Sequence, residues 1–562
     1  MDISSSSDRN ILDRVNAWRE DAMVSKDQLK IFNGTIVTVL FIVLLSVYGL
    51  SRRMGKANKL LPPGPRPLPL VGNLFLLGER THQALAQLAK QYGNIMTLYF
   101  GSARVVVVSD AVMAKELYSV SDANFASRPI HSLMKTSSKK LKLSGEEVIS
   151  MGITTYNPKV REMRQLCISE LFTAQKLEIM KSVRFEELQR MMATFKDLAM
   201  RADGGPVKIR SVVSEYALRS SCRTVFNKAF LHSEGLPKSE SSLHPEAFRK
   251  WEEVNGMLLA EKNIADIIPL FRILFGSLDL QGVEARWTYV TKLKLGWTTS
   301  VVEWYQQHPR SENVVGEPGT DFADTLLNLG EAKYSTTAIK SFLSELLGAG
   351  ADTTGTTLEW MLLELARHPQ INERLQKEVD AKFGMLRPVQ EDEAAQLPYL
   401  QAFVKEVLRL HPPAVLAIPH CNTEDAMLGG YHIPAGTAVI PNLWAIQRDP
   451  KAWGEDASVF NPDRFLGSDL NVNGTSYQFL PFGAGRRICP GRPLAMRALY
   501  AAAGSFVHAF EWSAPPGVEL NANEGTNGLN IRTEHPLFLR ISLRPAAALY
   551  QLPPKFASTW NT

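Results

Sequence analysis

Residues 481–491 read PFGAGRRICPG and present one cysteine, Cys489, on a glycine-rich loop. Gly485 can adopt a positive φ without steric penalty, so the backbone can turn sharply before the cysteine. Gly491 has no side chain that would block a flat ligand close to the backbone. A thiolate next to a helix N-terminus and to arginines is the form in which cysteine binds a metal ion. The segment therefore predicts a thiolate ligand, with Arg487 beside it.

Two simpler interpretations of this segment remain open on its residues alone. Most single cysteines are buried structural thiols, and Cys489 could be one of them. The glycines could instead form a phosphate-binding loop, but no Lys-Ser or Lys-Thr pair follows to complete that motif.

The spacing F-x-x-G-x-R-x-C-x-G resembles the haem-binding loop of the cytochrome P450 family. Its fixed positions are Phe482, Gly485, Arg487, Cys489 and Gly491. The resemblance implies haem b (iron protoporphyrin IX), with Cys489 as the axial ligand of the iron and the other four residues around the cofactor. The resemblance extends over roughly residues 60–545, and several motifs are similar to those of the plant-type microsomal branch. The fold that it implies is mainly α-helical with a smaller β region, in one large catalytic domain.

A second constellation lies in a long helical stretch over residues 341–363, which contains GAGADTTG at residues 348–355. Glycine weakens a helix by up to about 1 kcal/mol relative to alanine, so small residues here indicate a close approach of a ligand to the backbone. Asp352 and Thr353 offer an acid and a hydroxyl for proton transfer through water. The run resembles the family's oxygen-activating motif, with Thr353 as the hydroxyl. The alternative is a kinked core helix in which Asp352 is a local cap.

A third constellation is the amphipathic stretch 399–410, in which Glu406 and Arg409 are three residues apart and share one helix face. An exposed pair of this kind would contribute little to stability. The family has a buried E-x-x-R motif at this place, closed by an arginine from a later segment. Arg464, in FNPDRF at residues 460–465, matches that arginine. The resemblance implies that these residues are structural and support the cysteine loop.

Two further residues are implied by the resemblance to contact the haem propionates. Arg164 matches the arginine of the family's W-x-x-x-R motif, although Val160 stands where the family has tryptophan. Either the propionate contact is weaker here, or another donor compensates. His420 matches a position that often donates to a propionate. An ordinary surface charge at Arg164 and a histidine without a ligand role at His420 are the simpler alternatives.

The substrate cavity is expected to be apolar. Family analogy places Val415, Leu416 and Ile418 along it, together with Ala349 of the glycine-containing helix. Residues 530–533 are expected to approach the same cavity. The substrate is thus predicted to be a small apolar compound of specialised metabolism, and phenylpropanoid, terpenoid and fatty-acid-like compounds all remain open.

The chain begins with a predicted membrane anchor. Residues 31–50 form an uncharged, mostly apolar run of about the length that spans a bilayer core. Basic residues follow it, whereas residues 1–30 are nearly neutral, so the positive-inside rule places the N-terminal tail in the lumen and the main body in the cytoplasm. Residues 51–73 are a basic and proline-rich hinge, residues 74–545 the catalytic domain, and residues 546–562 a C-terminal tail. The expected location is the endoplasmic reticulum membrane, with a single span.

Composition excludes some other functions. The 562 residues include 62 basic and 57 acidic side chains, a balance that does not indicate nucleic-acid binding. The four cysteines are scattered, which argues against a disulfide framework and against the usual zinc spacings. No flavin or nicotinamide fingerprint is present in the sequence.

Together these features predict a monooxygenase that uses O2 and electrons from NADPH. The electrons would come from a separate NADPH–cytochrome P450 reductase, for which Arg486, Arg492 and Arg497 are candidate docking residues. One alternative is a family member of the isomerase or dehydratase type, and another is a haem-binding protein without turnover. The acid–threonine pair favours the monooxygenase over the first alternative, and only Val160 favours the second.

Overall fold

The computed structural model of the protein describes residues 61–129, 150–227, 254, 279, 281–307, 321–329, 333–526 and 529–551. The predicted lumenal tail, the membrane anchor, the basic part of the hinge and the end of the C-terminal tail lie outside these residues. Within the described ranges, no helix is both long enough and apolar enough to cross a membrane.

The described part of the chain is mainly helical. Its helices are, in chain order, α1 Thr81–Tyr92, α2 Ala111–Lys115 (extended by a wider turn over Glu116–Val120), α3 Asp122–Phe125, α4 Pro158–Leu171, α5 Ala174–Ile179, α6 Lys181–Ala202, α7 Ile209–Phe226, α8 Val283–Gln307, α9 Phe322–Asn328, α10 Thr336–Arg367, α11 Pro369–Phe383, α12 Glu391–Ala394, α13 Pro398–Leu410, α14 Leu443–Ile446, α15 Pro450–Trp453 and α16 Arg492–Ala509. Short 3₁₀ turns occur at Leu74–Leu76, Pro462–Phe465, Gly485–Arg487 and Pro545–Leu549.

The strands form a smaller β region. They are β1 Ile95–Phe100, β2 Ala103–Val108, β3 Val207–Lys208, β4 His420–Cys421, β5 Ala426–Leu428, β6 Tyr431–Ile433, β7 Ala438–Pro441, β8 Phe510–Ser513 and β9 Phe538–Leu543. One sheet has the order β1-β2-β7-β4, in which only the β2–β7 pair is parallel. A second has the order β3-β9-β8, and β5 pairs with β6 in a hairpin. The predicted fold class, mainly α with a smaller β region, is confirmed.

Helix α10 connects two hydrophobic cores. Its first half, up to Ala351, packs with α4, α7 and α8, whereas the part from Leu358 onward packs with α6, α13 and α16. The small residues 348–355 therefore lie where one core gives way to the other. The helix predicted over residues 341–363 is present and is longer at both ends. At its start, the Ser335 side chain caps the first turn by accepting from the N–H of Ala338.

The N-terminal hairpin follows its sequence pattern. Strands β1 and β2 pair antiparallel around the Gly101-Ser102 turn, as the runs of β-branched and aromatic residues predict. Their two faces are covered by separate apolar clusters, so both sides of the sheet are buried.

The proline-rich segment packs directly on this hairpin. The N–H of Thr97 in β1 donates to the carbonyl of Pro63, at 2.8 Å. A Cβ on Gly64 would lie 1.9 Å from the carbonyl oxygen of Thr97, so only glycine fits there. Asn73 donates to the carbonyls of Pro65 and Arg66, which folds the segment back on itself. The hinge is therefore attached to the body from residue 63 onward.

Candidate active site

The cysteine loop is held against α3 by a glycine. Gly485 has φ +64°, and a Cβ there would lie 2.3 Å from the Oδ1 atom of Asp122. The same carboxylate accepts from the backbone N–H of Arg486, at 3.1 Å. The loop closes on itself where the N–H of Cys489 donates to the carbonyl of Phe482, at 2.9 Å. Any residue other than glycine at position 485 would separate the loop from α3.

Cys489 differs from the other cysteines in its surroundings. It is exposed, whereas Cys167 and Cys222 are buried in the core. Although the residue as a whole is exposed, surrounding protein atoms desolvate its thiol and raise the pKa of that group. The N–H groups of Gly491 and Arg492 at the start of α16, together with the charge on Arg164, act in the opposite direction. A sulfur that receives backbone N–H groups and can be reached from outside suits a thiolate metal ligand. This is the arrangement that a buried structural thiol lacks.

Three guanidinium groups lie around the loop. Arg487 donates to the carbonyls of Ala126 and Met151, at 2.7 and 2.6 Å, and to a third carbonyl at Thr154. Arg164 donates to the carbonyl of Ile488, at 2.6 Å, directly before the cysteine. Both predicted residues are thus next to the loop, fixed by main-chain oxygens.

The third guanidinium, Arg128, donates to the carbonyls of Gly152, Ile418 and Pro419. Burial, and after it the charge on Arg487, lowers the pKa of Arg128 to about 9. Burial and the charge on Arg164 likewise lower the pKa of Arg487 to about 10. Side chains that repel one another in a buried cluster fit an anionic ligand, because such a ligand would offset their mutual repulsion. The residues present thus fit a haem with its two propionates.

His420 lies beside the same cluster, in β4. Its Nδ1 is 2.9 Å from the carbonyl of Phe125, which it can reach only as a donor. Burial, then the charge on Arg128, lowers the pKa of His420 to about 3, so the ring is neutral near pH 7. Val160, at the position where the family has tryptophan, is fully buried among core residues near the start of α4.

The acid and hydroxyl of α10 both have partners. The Thr353 hydroxyl donates to the carbonyl of Ala349, at 2.7 Å. One carboxylate oxygen of Asp352 accepts from the amide of Asn530, at 2.5 Å, and the other is paired with the guanidinium of Arg532. Asp352 lies within the helix rather than at its end, which excludes the local-cap interpretation.

Two of the α10 glycines lie against α7, which the sequence did not indicate. A Cβ on Gly350 would lie 2.6 Å from the Oγ of Ser221, and one on Gly355 would lie 3.4 Å from the Cα of Ser214. Both serines belong to α7. The Gly350 distance is too short for a Cβ unless Ser221 moves, whereas the Gly355 distance is an ordinary van der Waals contact. The expectation that the small residues serve the ligand stays a prediction.

Glu406, Arg409 and Arg464 come together as a buried cluster. Arg409 forms two hydrogen bonds to Glu406, at 2.7 and 2.8 Å, and the Nε of Arg464 lies 3.1 Å from the same carboxylate. Glu406 and Arg409 are fully buried. Arg409 also donates to the carbonyls of Gln447 and Ala457, which fixes the segment before the cysteine loop.

The four predicted cavity residues fall in different surroundings. Ala349 is exposed, and Ile418 is half-buried next to Gly152 and Arg128. Val415 is buried, and its carbonyl accepts from the N–H of Trp444. Leu416 packs against the cluster on one face of the β1–β2 hairpin. The structure places Ile418 beside the arginine cluster, and the partly buried Leu416 against the apolar cluster on one face of the hairpin.

The arginines proposed for reductase docking are partly engaged within the chain. Arg486 pairs with Asp122, at 2.7 Å, and Arg497 lies within 3.5 Å of Glu391 and Asp392. These pairs leave less free positive charge on this face than the sequence suggests.

Sequence reasoning missed two features of the site. Arg128 follows α3 in the run FASRP at residues 125–129. Its positive charge was the only feature of this run that could have indicated a role in anion binding. The pairing of Asn530 and Arg532 with Asp352 joins positions 178 and 180 residues apart, which no local pattern indicates.

Comparisons with known proteins agree with this geometry. The family described as Cytochrome P450 matches residues 62–539. The chain is 33% identical to flavonoid 3'-monooxygenase of Arabidopsis thaliana, over 92% of this chain and 98% of that protein. It is 32% identical to ferruginol synthase of Isodon rubescens (91% and 99% covered) and 31% identical to geraniol 8-hydroxylase of Swertia mussotii (90% and 98% covered).

Among solved structures, a zebra fish cytochrome P450 with abiraterone aligns with a TM-score of 0.64 at 26% identity, covering 82% of this chain and 99% of that one. The family match spans most of the chain, and the cysteine loop, the arginine cluster and the buried Glu406 cluster all lie within it. The chain therefore belongs to the cytochrome P450 family of haem-thiolate monooxygenases.

Proposed function

We propose that the protein is a membrane-anchored monooxygenase that hydroxylates a small, largely apolar compound with O2 and electrons from NADPH. The single observation that carries this proposal is the exposed Cys489 at the start of α16, next to three clustered guanidinium groups.

The haem would be held by this chain in two ways. Cys489 is the iron ligand, and Gly491 and Phe482 belong to the loop that carries it. Arg128, Arg164 and Arg487 lie where they could neutralise the propionates, and His420 is a fourth polar group beside them. The bound haem supplies the redox chemistry, because a thiolate ligand donates electron density to iron and favours cleavage of the O–O bond.

The protein's own contribution is to deliver protons and position the substrate. Asp352 and Thr353 are adjacent on α10 and supply a carboxylate and a hydroxyl. The Thr353 hydroxyl donates its proton to the carbonyl of Ala349, so its oxygen is oriented to accept a hydrogen bond from another group. Glu406, Arg409 and Arg464 hold the segment before the cysteine loop and take no part in the chemistry.

The substrate is proposed to be small and apolar. The named products or substrates of the relatives, a flavonoid, ferruginol and geraniol, differ from one another, and they suggest specialised metabolism rather than one compound. Ala349, Leu416 and Ile418 are the predicted cavity residues that remain at least partly accessible. Val415 and Leu416 would act through the packing of the segment before β4, which also carries Ile418.

The location and the electron donor follow from the predicted anchor. We place residues 31–50 in the endoplasmic reticulum membrane, with the catalytic domain on the cytoplasmic side. NADPH–cytochrome P450 reductase would then deliver electrons from the same membrane. Of the three arginines proposed for docking, Arg492 is the best candidate, since Arg486 and Arg497 have acidic partners within the chain.

The absorption spectrum of the reduced, carbon-monoxide-bound protein in microsomes tests the proposal. The expected result is a red-shifted Soret band of the thiolate type. Cys489→His should convert it to the band of a neutral ligand, whereas the matched variant Cys421→Ala should leave it unchanged. A thiolate band that survives Cys489→His would refute Cys489 as the ligand. A wild-type protein that binds no haem would refute the proposed monooxygenase function.

A further inference from the structure

The carboxylate of Asp352 is held by one loop near the end of the chain. Its Oδ2 accepts from the Nδ2 of Asn530, at 2.5 Å, and its Oδ1 is paired with Arg532. The Asp352 side chain is only 10% exposed and that of Arg532 is 15% exposed. We call this contact the Asp352 clamp.

The backbone of this loop is fixed on both sides of the clamp. The indole N–H of Trp360 donates to the carbonyl of Ile531, at 3.1 Å, and the N–H of Ile531 donates to the carbonyl of Pro413, at 2.8 Å. The carbonyl of Arg532 accepts from the N–H of Gly525, at 2.9 Å. Asn530 and Arg532 flank Ile531, so their side chains start from a defined backbone position.

A second contact joins the same loop to the same helix without involving Asp352. Thr533 lies 3.3 Å from the carboxylate of Glu359 through its hydroxyl, and Arg210 bonds to both of them. Glu359 is seven residues after Asp352, which is about two turns along the helix. A substitution at Arg210 would therefore weaken this second contact while the Asp352 clamp stays intact.

We propose that Asn530 and Arg532 are positioning residues that hold the ionised Asp352 carboxylate in place until it takes a proton from solvent water and passes it on toward the Thr353 hydroxyl. The proposal rests on the monooxygenase function proposed above. An opposite charge favours the ionised form of a carboxylate, and each engaged oxygen must release a donor before it can take a proton. Proton delivery through Asp352 therefore depends on the 530–532 loop, which sequence reasoning had placed at the substrate cavity.

The first experiment compares Arg532→Gln and Asn530→Ala with Arg210→Gln in the full-length protein, reconstituted with reductase. For the two clamp variants we expect product per NADPH to fall several-fold and the solvent isotope effect on product formation to change. Arg210→Gln, which loosens the second contact alone, should keep both values, and Arg532→Lys should recover most of the loss. Equal effects in Arg210→Gln would show that the loop acts only structurally and would overturn the proposal.

A double-mutant cycle asks whether the loop acts through Asp352. Asp352→Asn removes the acid, so adding Arg532→Gln to it should lower product per NADPH no further. Additive losses would mean that Arg532 acts by another route, which would overturn the proposal. Turnover supported by iodosobenzene, which supplies the oxygen atom without protons, should be preserved in every clamp variant.

Hydrogen exchange provides a test that does not require turnover. Asp352→Asn should increase amide exchange in peptides covering residues 529–535, because the charge that holds Arg532 is lost. Thr353→Ala, one residue further along the helix, should not. Unchanged exchange in Asp352→Asn would overturn the clamp even if the enzyme is active. Increased exchange in a protein without a thiolate band would support the clamp and refute the proposed function alone.

Discussion

Glu406 and Asp352 are both carboxylates held by nitrogen donors on two side chains, but they differ in where those partners come from. Glu406 is bound by Arg409 of its own helix and by Arg464, and the Glu406–Arg409 pair is fully buried. Asp352 is bound by Asn530 and Arg532 from a loop far along the chain, and its side chain keeps some exposure.

The difference indicates what each carboxylate can do. Glu406 also accepts from the N–H of Asn461, so it is surrounded by donors and has no access to solvent. Such a cluster can fix geometry but cannot exchange protons, because any change leaves a buried charge unpaired. Asp352 accepts from Asn530 and Arg532 alone among the contacts described above, and its side chain is 10% exposed. A change of hydrogen-bond partner therefore costs less free energy at Asp352 than at Glu406. The same chemistry therefore serves structure in one place and is available for function in the other.

The largest expected effect is that of breaking the Glu406 cluster. Glu406→Ala leaves two buried guanidinium groups without their carboxylate, and we expect a loss of about 3–5 kcal/mol in the free energy of unfolding. Because Arg409 also fixes the segment before the cysteine loop, haem content should fall with stability. Denaturant titration and the haem-to-protein ratio measure both quantities.

The control for this variant is Glu373→Ala, which removes an exposed pair with Lys377. Exposed pairs of this kind contribute little to stability, so its effect should be small. If the two variants lose similar free energy of unfolding, burial does not make the Glu406 cluster more important for stability than an exposed pair.

A smaller loss of stability is expected from Asp352→Asn. The substituted amide keeps the shape of the side chain, and Arg532 retains access to water, so we expect a loss of about 1–2 kcal/mol with the haem retained. The same denaturant titration measures it. A loss as large as that of Glu406→Ala would show that Asp352 is mainly a structural residue and would remove the contrast.

An effect confined to acid pH concerns Glu524, which forms a β-bridge with Thr533 of the segment that carries Asn530 and Arg532. Burial acts to raise the pKa of Glu524, but hydrogen bonds from His82 and Gln83 and the charge on Arg448 lower it to about 2. Its folded pKa is thus below the unfolded value of 4.5, so its stabilising contribution is complete above pH 4.5 and is lost as the pH falls toward 2.

Between pH 5.5 and pH 3.5 this single group should lower the free energy of unfolding by about 1–2 kcal/mol. The pH dependence of unfolding in the wild type and in Glu524→Gln measures its share. The variant should lose that part of the acid sensitivity. An unchanged pH profile in Glu524→Gln would mean that the carboxylate is not held as the structure indicates.

Much of the fold followed from local patterns in the sequence. The β1–β2 hairpin was evident from β-branched runs on either side of Gly101-Ser102, and α10 and α13 from their apolar periodicity. The cysteine loop was evident because few other motifs have phenylalanine, glycine, arginine and cysteine at this fixed spacing. These features depend on residues close together in the chain, which is why sequence alone could predict them.

Other features depend on partners that are distant in sequence. Arg128 joins Arg164 and Arg487 only because the chain after α3, α4 and the cysteine loop meet in space. Gly350 lies against Ser221 of α7, and Leu416 packs against the apolar cluster on one face of the β1–β2 hairpin. Local periodicity carries no information about such contacts.

The sequence by itself determined the Cys489 loop, the adjacent acid and hydroxyl of α10 and the family to which the chain belongs, because each rests on residue types at short spacing. Only the tertiary structure decided which charges meet: three arginines around the cysteine loop, and Asn530 and Arg532 on Asp352. The physical reason is that electrostatic and hydrogen-bond partners are selected by distance in space, which is set when the two cores on either side of residues 348–355 pack together.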